Sequence, residues 1–211
     1  MFAFDFDLVD LLSTGHRAYR EQKADISREP GLEQAAFEFV CDRIQQQMVE
    51  KGMPVEIMEG ARATGLKSPL RLMALADALE DFRHTKDFDD LHTAYFRCSK
   101  IVAKAGEAAG TESVDASFFE EATEKELYGQ LVSLEPRIQE LVGSLDYRSA
   151  LAKAAAIRAA VDLFFDEVMI MADDEKIRNN RLALVRRTAS MLLTLGDPMR
   201  VAAAPKTAPG S

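Results

Sequence analysis

The chain has few of the features that mark secreted or membrane proteins. Its two cysteines, Cys41 and Cys98, are too few and too far apart to suggest a disulfide framework, so they are predicted to be free thiols. No stretch approaches the run of about eighteen apolar residues that a membrane helix needs. The first residues, MFAFDFD, lack the basic region of a signal peptide. The sequence therefore predicts a cytoplasmic protein without a membrane segment.

Catalytic motifs are missing as well. There is no Gly-rich phosphate loop, no Gly-x-Ser-x-Gly sequence and no adjacent His-Asp pair, so no catalytic residue is predicted. Five possible metal ligands lie close together, namely His84, Asp87, Asp89, Asp90 and His92. Their spacing matches no metal-binding pattern, and aspartates are favoured at a helix start without a metal. We expect neither a metal site nor an independent enzyme.

Positive charge is scarce. The chain has 26 Lys and Arg against 35 Asp and Glu, and its formal net charge is −9. Non-specific affinity for nucleic acid comes largely from basic side chains that neutralise phosphates, so any such contact must be local or shared with a partner. Arg97, Lys100 and Lys104 follow one another at helical spacing. This ridge is either a phosphate contact or a solvated helix face.

The residues that are abundant favour helix. With only 11 Gly and 7 Pro, and with many Ala, Leu, Glu, Arg and Met, the sequence predicts an all-α helical bundle of about seven to eight helices. The predicted helices cover 8–21, 32–50, 54–63, 70–82, 88–105, 117–142, 147–171 and 174–195. Asp87 and Asp173 are predicted N-caps of the fifth and last helices, and Pro136 is expected to break or kink the sixth near Glu135.

The breaks between these segments suggest three parts. Pro30 and Gly31 separate residues 1–30, an N-terminal helical arm and linker, from a helical domain over 31–196. Residues 197–211 are rich in Ala and Pro and are predicted to be a disordered tail.

One segment has a more distinctive sequence than the rest of the chain. Residues 161–184 read VDLFFDEVMIMADDEKIRNNRLAL, a helix with two Phe, an acidic turn and Arg-x-Asn-Arg-Leu-Ala-Leu at the start of the last helix. This resembles the C-terminal signature of the β subunit of bacterial-type glycyl-tRNA synthetase. The resemblance extends upstream through FEFVCDR at 37–43 and LRLMALADALEDF at 70–82. At 94–101, AYFRCSKI keeps Arg97 but has Phe96 and Lys100 where that family usually has Lys and Asn.

The resemblance implies a DALR-type anticodon-binding domain, the last third of a β subunit that is itself non-catalytic. Such a domain would bind tRNA-Gly on its anticodon side and support ATP- and Mg-dependent glycylation by an active site on the separate α subunit. The implied partners are tRNA-Gly, the α subunit and the remaining β-subunit domains. The segment itself is expected to need no cofactor.

A helical wheel separates structural from RNA-binding candidates in the signature. Arg181 falls on the apolar face of the last helix, so we expect it to be a structural residue held by a carboxylate or by several carbonyls. Arg178 and Arg186 lie farther round and are candidate tRNA contacts, together with Arg97, Lys100 and Lys104. The structural members of the motif are taken to be Asp162, Phe165, Asp166, Asp173 and Arg181. Arg158 is expected to pair with Asp162 along the helix, and either Asp162 or Asp166 could receive Arg178 or Arg181.

Two other functions remain open from the sequence. The acidic bundle could be a docking module for other synthetase domains that never touches RNA. The salt dependence of tRNA binding would distinguish the two functions, because phosphate contacts give a steep slope and a protein-docking surface gives none. It could also be an arginyl-type synthetase domain of the same fold, which the FFDEVMIM sequence disfavours.

Overall fold

The protein is all-α in the ranges that the computed structural model describes, residues 5–22, 31–106 and 113–205. Its helices are α1 Leu8–Gln22, α2 Leu32–Glu50, α3 Val55–Arg62, α4 Pro69–Phe82, α5 Lys86–Ala105, α6 Ala122–Gly143, α7 Tyr147–Ala155, α8 Arg158–Glu167, α9 Glu175–Leu193 and α10 Pro198–Ala202, with a 3-10 turn at Ala116–Phe118 before α6. The predicted fold class is confirmed. None of the helices in these ranges combines the length and apolar character needed to cross a membrane.

Helix α5 lies at the centre of the bundle. It packs against α7, α8, α9 and α10, and α6 in turn packs on α7 and α8. The buried face of α5 is formed by Phe88, Leu91, Ala94 and Cys98. Because these residues recur every three or four positions, the opposite face of the helix is left for polar and charged side chains.

The start of α5 differs from the prediction. The cap is Thr85, whose hydroxyl accepts the backbone N–H of Phe88 at 3.3 Å, and the helix begins at Lys86. Asp87 therefore lies in the first turn, where its charge complements the helix dipole without capping it. At α4, Ser68 is the cap and Pro69 is the first helical residue, the positions that these two residue types favour.

Pro136 does not break α6, which runs through it from Ala122 to Gly143. A proline inside a helix removes the hydrogen bond to the carbonyl four residues earlier, here that of Val132. Both Val132 and Pro136 are exposed, so water can satisfy the freed carbonyl and the cost is small.

The predicted helix over 147–171 is two helices followed by an extended segment. The amides of Ala156 and Ile157 bond to carbonyls three residues back, which tightens the chain and ends α7. Helix α8 then stops at Glu167, and Val168 is extended. After it, Val168 and Ile170 are buried while Met169 and Met171 are exposed. This alternation has a period of two, which a helix cannot provide.

The described part of the N-terminal arm contacts the domain. Helix α1 packs on α2, and the amide of Leu8 donates to the carbonyl of Lys67 at 3.0 Å. Asp5 accepts hydrogen bonds from Ser68 and from the guanidinium of Arg71. Residues 23–30 of the predicted arm and linker lie outside the described residues.

The predicted tail is partly folded, contrary to the expectation of disorder over 197–211. Asp197 accepts the amide of Met199 and Pro198 opens α10, so the sequence Asp-Pro is a helix start. Helix α10 packs on α3 because Gly60 has no side chain; a Cβ there would lie 2.7 Å from Val201. Residues 206–211 lie outside the described ranges.

Candidate nucleic-acid interface

Arg181 of the signature is buried in the bundle. Only 5% of its side chain is exposed, and its Nε donates to Glu124 Oε1 at 3.0 Å. Its other nitrogens donate to Glu120 at 2.9 Å and to the Met169 carbonyl at 3.1 Å. It thus lies on the buried face that the helical wheel indicated and ties α9 to the start of α6 and to the segment after α8.

Glu124 is the partner that the sequence did not single out. It has no exposed surface, and besides Arg181 it accepts the amides of Glu120 and Glu121 at 2.9 and 2.8 Å. Burial alone raises the pKa of Glu124, but the hydrogen bonds from Arg181 and from these amides outweigh it and leave the pKa below its ordinary value. The carboxylate is therefore held in its charged form.

Two further residues of the signature fix neighbouring backbone. Asn180 is buried; its oxygen accepts the amide of Asp115 at 2.8 Å and its nitrogen donates to the carbonyl of the same residue at 2.9 Å. Arg178 donates to the carbonyls of Ala172 and Asp173 at 2.9 and 3.3 Å. The role of Asn180 was not predicted, although a polar residue on a buried helix face was the available signal.

The N-cap of α9 is Asp174, which corrects the assignment to Asp173. The side chain of Asp174 accepts the amides of Lys176 and Ile177 at 2.8 and 3.1 Å. Asp173 instead contributes its backbone carbonyl to Arg178 and has an exposed side chain. In a run of two aspartates the sequence alone does not distinguish which one precedes the first helical turn.

Asp162 and Asp166 of α8 bind Arg97 of α5, and not Arg178 or Arg181 across the turn. The distance from Arg97 to Asp166 is 3.1 Å, and the guanidinium carbon lies 4.8 Å from the centre of the Phe165 ring. Asp162 also pairs with Arg158, as expected. The partnership with Arg97 escaped prediction because it joins residues 65 positions apart.

The remaining basic candidates lie on two helices that pack together, α5 and α9. Lys100 and Lys104 are exposed, and within the described ranges neither ammonium group has a carboxylate at ion-pairing distance. Arg186 is half-buried, as is Arg97. The structure thus leaves Lys100 and Lys104 with the most accessible positive charge among the five candidates.

The residues considered for metal binding have other surroundings. His92 is stacked between the rings of Phe88 and Phe96, and His84 lies 3.5 Å from a carboxylate oxygen of Glu80. In the described part of the chain, no three His, Cys, Asp or Glu side chains are grouped as a metal site requires.

The family model of the DALR anticodon binding domain matches residues 91–203, from the first turns of α5 to the end of α10. The match covers more than half of the chain. The chain belongs to the DALR anticodon binding domain family. The network around Arg181 and Glu124, the Arg97 cluster, Lys100 and Lys104 all fall inside the matched part of this DALR domain.

Several proteins similar to this chain are named glycine–tRNA ligase beta subunit. The chain is 34% identical over 193 residues to a glycine–tRNA ligase beta subunit of Pseudomonas aeruginosa, covering 92% of this chain and 28% of that protein. The corresponding proteins of Marinobacter nauticus and Acidobacterium capsulatum are each 32% identical, over 85% and 89% of this chain and 26% and 27% of theirs. The chain therefore spans little more than a quarter of the length of these relatives.

Proposed function

We propose that the chain is the anticodon-side tRNA-binding segment of a glycyl-tRNA synthetase in the cytoplasm and takes part in protein biosynthesis. It binds and orients tRNA-Gly, while an α subunit carries the active site that uses ATP and Mg. The segment itself takes no part in the chemistry and needs no cofactor. The main support for this function is the DALR anticodon binding domain match over residues 91–203.

Binding of this kind contributes to catalysis by positioning. A tRNA held at its anticodon end presents its acceptor end to a distant active site with less loss of freedom in the reaction step. A rigid binding segment suits this task. The buried pair of Arg181 and Glu124, with the backbone clamps of Arg178 and Asn180, supplies that rigidity around the N-terminal half of α9.

The phosphate contacts are assigned first to Lys100 and Lys104, whose ammonium groups are exposed. Arg178 and Arg186 of α9 are the next candidates. Arg97 remains a candidate contact. Its ion pairs with Asp162 and Asp166 neutralise much of its charge, however, and favour a role in holding α5 against α8.

The test is the salt dependence of tRNA-Gly binding, measured by fluorescence anisotropy with the full chain. Each lysine that binds a phosphate steepens the slope of log K against log salt, so Lys100→Gln and Lys104→Gln should each reduce the slope by about one. Lys51→Gln, at the end of α2 and outside the family match, is the control and should leave the slope unchanged. Absence of tRNA binding at low salt would refute the proposal.

A second candidate, a docking module for the remaining synthetase domains, is favoured by the apolar face of α2. Leu32 and Phe39 lie two turns apart on this helix, and Phe39 is 71% exposed. The relatives are more than three times as long as this chain, so their other domains are available to cover such a face. This function predicts no tRNA binding by the chain and binding of the α subunit or other β-subunit domains instead.

A further inference from the structure

A row of aromatic and basic side chains follows the outer side of α5. His92 and Phe96 stack with ring centroids 6.3 Å apart and planes inclined by 23°, and Lys100 Nζ lies 5.3 Å from the centre of the Phe96 ring. Lys104 follows one turn later. We call His92, Phe96, Lys100 and Lys104 the stacking ridge. Its first member, His92, stacks on the buried Phe88, and its last two members are the exposed lysines.

Phe96 is not needed for the core of the domain. The buried face of α5 is already filled by Phe88, Leu91, Ala94 and Cys98, and Phe96 is 37% exposed. A single exposed phenylalanine is common on protein surfaces. Here, however, its ring is in contact both with an aromatic side chain, His92, and with the ammonium group of Lys100. That combination of a supported ring and accessible positive charge is what proteins use to bind unpaired nucleotides.

We propose that Phe96 stacks on an unpaired base of the bound RNA while Lys100 and Lys104 bind the adjacent phosphates. This inference rests on the proposed function and specifies how the domain contacts the bound RNA. Lys100 now covers one face of the Phe96 ring. Stacking of a base on an aromatic ring is stronger than a solvent-exposed cation–π contact, so an arriving base displaces the ammonium group, which is then available for phosphate.

The ligand class follows from this geometry. The bases of an A-form stem are stacked on one another, and only a loop, bulge or end presents a free base face. The stacking ridge should therefore bind the single-stranded part of an anticodon arm and not its stem. Stacking reads no hydrogen-bond pattern, so the contact supplies affinity with little base preference of its own.

The chain contains no tryptophan, which makes a direct reporter possible. Phe96→Trp places a single indole on the ridge, and Phe39→Trp places one at an exposed phenylalanine of α2 as the matched control. Each full-length variant is titrated with a tRNA-Gly transcript, with its anticodon stem-loop and with a duplex of the stem sequence alone. Phe96→Leu, which keeps an apolar side chain but no aromatic face, is measured by anisotropy against wild type, with helicity checked by circular dichroism.

The proposal predicts that tRNA and the stem-loop quench the indole fluorescence of the Phe96→Trp variant, whereas the duplex does not. The Phe39→Trp variant should show no quenching with any of the three RNAs. Phe96→Leu should weaken tRNA binding about 5- to 100-fold without changing the salt slope, because it removes stacking and no charge.

The stacking ridge and the proposed function can fail separately. If wild type binds tRNA while Phe96→Leu binds equally well and the Phe96→Trp variant is not quenched, the stacking ridge is refuted and the proposed function survives. If wild type binds no tRNA, both are refuted.

Discussion

Replacing Arg181 by alanine should remove much of the stability of the domain. Glu124, which has no exposed surface in the native protein, would lose its buried charged partner and retain the amides of Glu120 and Glu121. Removing one partner of a buried ion pair costs roughly 3–5 kcal/mol. Because Glu124 keeps two amide hydrogen bonds, we expect a loss at the lower end of this range, about 3 kcal/mol. For a chain of this size, that corresponds to a fall of roughly 6–12 °C in Tm.

Urea and thermal unfolding followed by circular dichroism measure this loss. Arg137→Ala is the control, since Arg137 pairs with Glu140 on the surface of α6 and both side chains are more than half exposed. Surface pairs contribute little, so the control should unfold close to wild type. A structural role for the buried pair is refuted if Arg181→Ala stays within about 1 kcal/mol of wild type, or if the control loses as much.

The pair of Arg181 and Glu124 should also make the free energy of unfolding depend on pH. Because the folded-state pKa of Glu124 lies below its ordinary value of 4.5, its ionisation stabilises the fold fully above that value. This contribution is lost as the pH falls from 4.5 through the folded-state pKa. The difference in unfolding free energy between wild type and Glu124→Gln should therefore shrink below pH 4.5. A difference that stays constant to about pH 3 would contradict the assignment.

Three further predictions concern packing and accessibility. Gly60→Ala should lower the unfolding free energy by about 1–3 kcal/mol, since its Cβ would lie 2.7 Å from an α10 side chain. Gly129→Ala should raise it by about 0.5–1 kcal/mol, because a Cβ at this position in α6 meets open space. Equal urea midpoints for the two variants would contradict this reasoning. Burial raises the pKa of the Cys98 thiol to about 12, so iodoacetamide should label Cys98 only after unfolding, and labelling of the native protein at the rate of a free thiol would be the contrary result. Asn180→Ala should cost about 1–3 kcal/mol and speed proteolysis near Asp115, because two hydrogen bonds to that backbone are lost; an unchanged cleavage rate would count against the clamp.

Local patterns predicted the helices and their burial well. Composition indicated an all-α protein, Ser68 and Pro69 marked the start of α4, and the helical wheel of α9 placed Arg181 among apolar residues. These signals work because capping and amphipathic periodicity depend on residues within one or two turns.

Long-range partners could not be predicted in this way. Glu124 lies 57 positions from Arg181, and Asp162 lies 65 from Arg97, so no periodicity connects them. The end of α8 also differs from the prediction of a helix over 147–171, since α8 stops at Glu167 and a two-residue alternation of burial follows. The alternation of β-branched and Met side chains there was the signal that the chain had become extended.

Whether this chain reads the anticodon side of tRNA can be decided by comparing its binding of tRNA-Gly with that of a transcript whose anticodon is altered, by anisotropy at low and moderate salt. If the chain reads the anticodon bases, the full chain binds the natural transcript more tightly than the altered one, with affinity that falls steeply as salt rises. Equal affinity for both transcripts would contradict reading of the anticodon bases by this chain, and no binding at low salt would leave docking to other synthetase domains as its function.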